Sequence, residues 1–200
     1  MNRSRAIIGI ADQPKSATKS VLNVGGGSNR NLPPEYDGWN QVVIDIDPQV
    51  SPDICLDAKL MDELPGFNYD AAFCSHNLEH FYKHDVPLVL KGMLHVLKDG
   101  GFAHISVPSF SGMIAAMQRD RLDINDVWYR TSGGTAITFH DVLYGWNHAM
   151  ENGNLYYAHR CAFTQASLSE ALLKAGFDGV HIGDDGYNIV AKAYKGKPCQ

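Results

Sequence analysis

The sequence predicts an α/β fold, a doubly wound and mostly parallel sheet that closes in an antiparallel hairpin. Three observations predict it. Short apolar, β-prone runs alternate with segments of helical period, an order that calls for parallel strands joined by right-handed crossovers with helices on both faces. The first run ends in three consecutive glycines, Gly25-Gly26-Gly27. The last two runs, Gly179 to Ile182 and Asn188 to Tyr194, lie too close together for a crossover and so pair antiparallel.

Val21 to Val24 reads as a buried strand entering a tight turn. Ser28 to Asn40 is polar and proline-containing, with no apolar helical period. Gln41 to Pro48 (QVVIDIDP) reads as a second buried strand stopped by its proline, Ser51 to Asp57 as a short third and Tyr69 to Ser75 as a fourth. Asp85 to Leu97 predicts a helix, with Asp85 as N-cap and Pro87 in the first turn, where its missing N–H is not needed. Val86, Leu90, Met93, Leu94 and Leu97 form its apolar face, and Gly100-Gly101 stop it. Phe102 to Val107 is the fifth strand. Residues 109–160 are polar and aromatic, with a helix over Met113 to Gln118, and read as an insertion over the sheet edge. Ser167 and Glu170 have capping-box spacing for a helix through Leu168, Ala171, Leu172 and Ala175, ended by Gly176.

The chain has 200 residues, 44% apolar and 20% charged, which suits a single globular domain over 1–200. A net charge of −5 argues against a dedicated nucleic-acid binder. The four cysteines, Cys55, Cys74, Cys161 and Cys199, form no C-x-x-C pair. No apolar run approaches the ~20 residues that span a bilayer. Arg3 and Arg5 precede an apolar run, Ala6 to Ile10, that Asp12 interrupts too early for a signal-peptide core, so a cytoplasmic protein without membrane partners is expected.

A glycine turn after a buried strand lets backbone approach a ligand closely, although three glycines alone also fit a plain tight turn. The spacing G-x-G-x-x-Arg through Arg30 breaks the dinucleotide fingerprint, and no helix start follows to hold a pyrophosphate. A cofactor without phosphates fits better, and a dehydrogenase is disfavoured. Asp45 ends the second strand eighteen positions after Gly27, where a carboxylate accepts hydrogen bonds from ribose hydroxyls. Asp47 points to the same side and is its rival, and either could instead be a turn carboxylate before Pro48. Gly25, Asp45, Ser75 and Pro108 fall along one rim, just beyond the carboxyl ends of strands, where such sheets bind ligands.

The ordered segments VLNVGGGSN, VVIDIDP, CLDAKLMDELP, YDAAFCSHNLEHF and LKDGGFAHISVPS cover Val21 to Ser109. Together they resemble the class I S-adenosylmethionine-dependent methyltransferases, most closely the small type-11-like group. The stretch AHRCAFTQASLSEALLKAGF resembles that group's tail. The resemblance implies a Rossmann-like, seven-stranded sheet with a reversed last strand, and S-adenosylmethionine as cofactor. It implies that Gly25 and Gly27 line the methionine part, Asp45 binds ribose, Asp57 and Ala58 flank adenine, and Ser75 and His76 border the sulfonium. Two features depart from the group. Asn23 stands where most members carry an acidic residue, and the first crossover helix is short or absent. They keep a second reading open, a catalytically degenerate sensor or partner subunit that binds the same cofactor.

Methyl transfer can be driven largely by in-line placement, and a base is needed only where the acceptor must lose a proton. His76, His140 and His159 are the candidate acid/base residues. His76, His80 and His84, four apart, would share one face of a helix as metal ligands. A helix beginning at Asp85 leaves no continuous helix to carry all three, and Glu79-His80 looks structural in the family, so no metal site is expected. His140, Asp141, Tyr144, His148, Tyr156, Tyr157, His159 and Arg160 would line an acceptor pocket, or form a lid whose aromatics pack on the sheet. The expected acceptor is a small molecule or a saccharide, and the sequence is compatible with a homodimer.

Overall fold

The computed structural model describes residues 18–28, 30–64, 69–131 and 133–196. Arg3, Arg5, the Ala6 to Ile10 run, Asp12 and Cys199 lie outside them, as do Asn29 and Pro65. In chain order the described elements are β1 (Ser20–Val24), β2 (Asn40–Asp45), β3 (Ile54–Cys55), β4 (Tyr69–Ser75), α1 (Val86–Val96), β5 (Leu97–Pro108) and α2 (Phe110–Asp120). A hairpin of β6 (Val127–Arg130) and β7 (Ala136–Thr138) follows, then α3 (Phe139–Tyr144), α4 (Asn147–Glu151), α5 (Gln165–Ala175), β8 (Gly179–Asp184) and β9 (Asn188–Tyr194).

Seven strands form one sheet in the order β3-β2-β1-β4-β5-β9-β8. The pairs from β3 to β5 are parallel, and β9 runs antiparallel to both β5 and β8. The reversed last strand therefore sits one place inside the sheet, and β8 takes the edge. The run of β1 is buried at every residue, so its apolar side chains face protein on both sides, as a central parallel strand requires.

The two faces are covered unequally. The main core lies on one side, where α1, α5 and the 3-10 turn Ala58–Glu63 pack on the sheet through residues such as Leu90, Met93, Met61, Leu168 and Leu172. Each such fully buried side chain contributes about 1.5–3 kcal/mol. The opposite face carries a small cluster of Val21, Tyr36, Ala71 and Phe73, with Leu32, Trp39 and Phe102 against it. Between β1 and β2 the described residues hold one 3-10 turn, Pro34–Tyr36, in keeping with a first crossover helix expected to be short or absent. The reason is local: Pro33 and Pro34 remove two backbone donors, and no apolar period exists for a longer helix to bury. Tyr36 fills the space instead, its hydroxyl 3.0 Å from His104 Nδ1.

One helix start matches expectation and other boundaries differ. Asp85 stands at the N-cap of α1 without a capping bond, and its carboxylate lies 3.6 Å from Lys59. The helix ends at Val96 because Leu97 is already extended, and Gly100, at φ 80°, belongs to β5. The capping box of α5 is Thr164 with Ser167, one turn before the expected pair, while Glu170 bonds Lys174 at 2.6 Å. Within residues 109–160, α2 is longer than expected. Ser109 caps it by accepting the Gly112 N–H, and Met113 and Ala116 pack on Phe139 as a satellite core.

Candidate active site

The strand ends of β1, β2 and β4 meet at one rim, and a cavity of about 600 Å³ opens there. That size suits a drug-sized ligand. Its floor is the glycine turn. Gly25 adopts φ 69° and Gly27 φ 58°, left-handed values that favour glycine. A Cβ on Gly25 would collide with the Asn77 side chain, and one on Gly26 would lie 2.6 Å from Asn23 Nδ2. Asn23 is buried directly beneath the turn.

Asp45 holds the turn in place. Its Oδ2 accepts the Gly27 N–H at 2.9 Å and its Oδ1 accepts the Asp47 N–H at 2.9 Å. Each oxygen thus keeps acceptor capacity for a ligand hydroxyl. Asp47 also lines the cavity but spends one oxygen capping the next turn through Gln49 N–H at 2.9 Å. Asp57 does likewise with Lys59 N–H at 3.1 Å, and beside it Ala58 presents a small side chain to the cavity.

The chain after β4 supplies the inner wall. His76 takes φ 49°, which turns the backbone sharply so that His76, Asn77 and His80 face the cavity. Ser75 remains paired with Ser106 in the sheet and is not among the lining residues. The roof comes from the segment that follows α4: Asn154, Tyr156, Tyr157 and Arg160. The Arg160 guanidinium stacks 4.9 Å over the Tyr82 ring, fixing roof to wall.

Glu79 is 1% exposed. Burial pushes its carboxyl up, but contact with His76 and the nearby His80 and His159 outweigh it, and the net direction is down. His76 Nδ1 lies 3.5 Å from Glu79 Oε1, and that carboxylate holds the imidazole pKa above its ordinary value. Burial pushes His159 the other way, toward the neutral ring.

Of the residues expected at the site, Gly25, Gly27, Asp45, Asp57, Ala58 and His76 all line the cavity. His159 lines a neighbouring small cavity beside Glu79. His140 lines neither; its ring lies 4.9 Å from the Tyr144 ring, and its backbone N–H donates to the Ile124 carbonyl. His84 also stays apart, 79% exposed and stacked on Tyr82, so the three histidines spaced four apart do not converge. Asn77, Phe81 and Tyr82 were not anticipated as lining residues. Asn77 was within reach of the strand-end rule, whereas Phe81 and Tyr82 carry no periodic or motif pattern that marks them.

A family profile described as "Methyltransferase domain" matches residues 4–182. The chain therefore belongs to the methyltransferase-domain family, whose members are enzymes that use S-adenosylmethionine. Among solved structures, an O-methyltransferase family protein from Burkholderia thailandensis superposes with a TM-score of 0.56 at 13% identity, over 89% of this chain and 51% of that one. A SAM-dependent methyltransferase from Archaeoglobus fulgidus gives 0.54 at 15%, over 88% and 86%. Human N-acetylserotonin methyltransferase, solved with SAM, gives 0.54 at 15%, over 89% and 48%. The chain spans about half the length of the first and third of these. At such identities the likeness is one of fold. No curated protein matches the sequence significantly.

Proposed function

We propose that this protein transfers a methyl group from S-adenosylmethionine, held along the β1–β2–β4 rim, to a small-molecule or saccharide acceptor admitted beneath the 109–160 insertion. One observation carries the reading: a single cavity joins the left-handed glycine turn, the half-satisfied Asp45 carboxylate and the aromatic roof. The residues fit the cofactor. Gly25 and Gly27 let backbone approach the methionine part, Asp45 has lone pairs left for two ribose hydroxyls, and Asp57 with Ala58 leaves a flat edge for adenine. Bound there, the cofactor supplies an activated methyl group on a good leaving group.

The chain's own residues then have three tasks. Asn77 and His76 shape the wall where the transferred group would lie, and the roof orients the acceptor for in-line approach. Tyr156 and Tyr157 offer exposed aromatic faces, suited to stacking on a planar ring or a sugar. Where the acceptor must lose a proton, His76 is the exposed imidazole lining the large cavity and His159 the half-buried one lining the small cavity; His140 lines neither. The test is calorimetry with S-adenosylhomocysteine, followed by mass-spectrometric detection of methylated product over a panel of phenols, amines and saccharides. No binding at about 1 mM would overturn the cofactor assignment. Binding without any product across the panel would favour a sensor or partner subunit.

A further inference from the structure

Glu79 poses a problem that the methyltransferase reading does not resolve. It is 1% exposed, and neither carboxylate oxygen has a hydrogen-bond partner among the described residues. An ionised carboxylate in such surroundings is costly unless a cation or donor meets it. The candidates for that role are close: one ligand atom each from Glu79, His80 and His159 lie within 4.8 Å of one another. His159 Nε2 stands 4.0 Å from Glu79 Oε1.

The histidines are set up for one kind of occupant. His80 Nδ1 is 3.1 Å from the Ala158 carbonyl oxygen, and His159 Nδ1 is 2.8 Å from the Val142 carbonyl oxygen. A carbonyl only accepts, so both Nδ1 atoms carry the hydrogen and both Nε2 atoms keep a lone pair. Backbone carbonyls that fix the tautomer in this way are the usual outer support of metal-bound imidazoles. The ligands are also held rigidly together, because the Arg160 and Cys161 N–H groups both donate to the Glu79 carbonyl, at 2.8 and 3.2 Å. A cavity of about 10 Å³ borders Glu79 and His159, room for one water-sized occupant. Its remaining wall is mainly apolar, with Phe110, Met113, Val142 and Phe163, so the imidazoles, His76 Nδ1 at 3.5 Å included, are the partners at hand for Glu79.

We propose that Glu79, His80 and His159 bind one divalent transition-metal cation of the zinc, cobalt or manganese kind. Two imidazole nitrogens and one carboxylate suit such ions better than magnesium, which prefers an all-oxygen shell. Three protein ligands also leave coordination positions open, the pattern of a reactive rather than a structural site. His76 and His80 line the large cavity while Glu79 and His159 line the small one, so the ion sits in the wall between them. An acceptor hydroxyl reaching that wall would find an anchor that also lowers its pKa. This last role rests on the methyl-transfer reading; the metal site itself does not.

The experiment uses the full chain after chelator treatment, titrated with Co²⁺ by visible absorption and with Zn²⁺ and Mg²⁺ by calorimetry, with and without S-adenosylhomocysteine. One equivalent of Co²⁺ should bind, with ligand-field bands, at least about a hundredfold more tightly than Mg²⁺. Glu79→Gln and His159→Ala should each weaken Co²⁺ binding by at least about tenfold. His84→Ala, outside the cluster, should leave it unchanged. Glu79→Gln is nearly isosteric; its melting temperature should stop responding to Zn²⁺ while the wild type's rises. The site is refuted by no saturable Co²⁺ binding up to about 1 mM, by Mg²⁺ binding as tightly as Co²⁺, or by unchanged Co²⁺ affinity in both variants. Cofactor binding measured in parallel separates that failure from a failure of the methyltransferase reading.

Discussion

Asp45→Ala removes a turn-holding side chain to which we also assign a ribose-binding role. In the protein alone it holds Gly27 N–H and Asp47 N–H, each at 2.9 Å. Hydrogen bonds to a charged acceptor contribute about 1.5–3 kcal/mol each when dry. Here both are only part-buried, and water replaces much of the loss, so about 2 kcal/mol in total is the expected cost. At this chain length that lowers the melting temperature by about 4–8 °C. With cofactor the loss is larger. On the ribose role we propose, two hydroxyls on the remaining lone pairs would account for about 3–6 kcal/mol, a weakening of roughly a hundredfold to ten-thousandfold.

Asp45→Asn sharpens the test. It keeps the shape and one carbonyl acceptor, but it turns an amide NH₂ toward either the Gly27 or the Asp47 N–H. Its affinity should fall between those of the wild type and the alanine variant. Calorimetry with S-adenosylhomocysteine gives the affinities, and circular dichroism melts give the stabilities. An alanine variant that melts lower yet binds as tightly as the wild type would refute the ribose role and leave Asp45 as a turn-holding carboxylate only.

Gly25→Ala forces a left-handed backbone on a residue with a Cβ, at about 1–2 kcal/mol, and drives that Cβ into Asn77. Lower cofactor affinity and a melting temperature reduced by a few degrees should follow; normal binding would mean the turn does not support the ligand. Gly112→Ala sets two effects against each other. Alanine gains about 1 kcal/mol of helix propensity within α2, but its Cβ would strike the Gly186 backbone, which cannot step aside as a side chain can. Net destabilisation is expected in a thermal melt, and a gain would show that α2 can move off the β8–β9 turn. His104 carries a pH dependence. Burial beneath Tyr36 holds its pKa below about 6.5, with Glu35 opposing and Lys192 reinforcing. The unfolded chain then takes up the proton at higher pH than the folded one, so this residue's contribution falls as pH drops below about 6.5. His76, raised by Glu79, acts in the opposite sense. The comparison is therefore between wild type and His104→Gln, whose melting temperature should fall less between about pH 7.5 and 5.5; equal falls would refute it.

Much of this molecule is legible in the chain because its strands are short apolar runs with strong stops. Tyr69 to Ser75 is such a run, and both of its ends match. The helix starts are less legible. Thr164, Ser167 and Glu170 offer two overlapping capping boxes, and only packing of Leu168 and Leu172 into the core selects the first. The strand-end rule marks Gly25 and Asp45 on the cavity rim, whereas Gly27, Asp57, Ala58 and His76 rest on the family resemblance. The rule fails at Ser75 for a definite reason. The left-handed turn at His76 swings the next residues inward, so Asn77 fills the place that a straight continuation would give to Ser75. The pairing of Glu79 with His159 lies beyond any local pattern. No periodicity links the two, and in the sequence Glu79-His80 is only a recurring string beside a helix start. They meet because the segment at Ala158 to Cys161 closes on the Glu79 carbonyl through two N–H groups, and that closure brings the His159 imidazole to a buried carboxylate that His76 approaches from the other cavity.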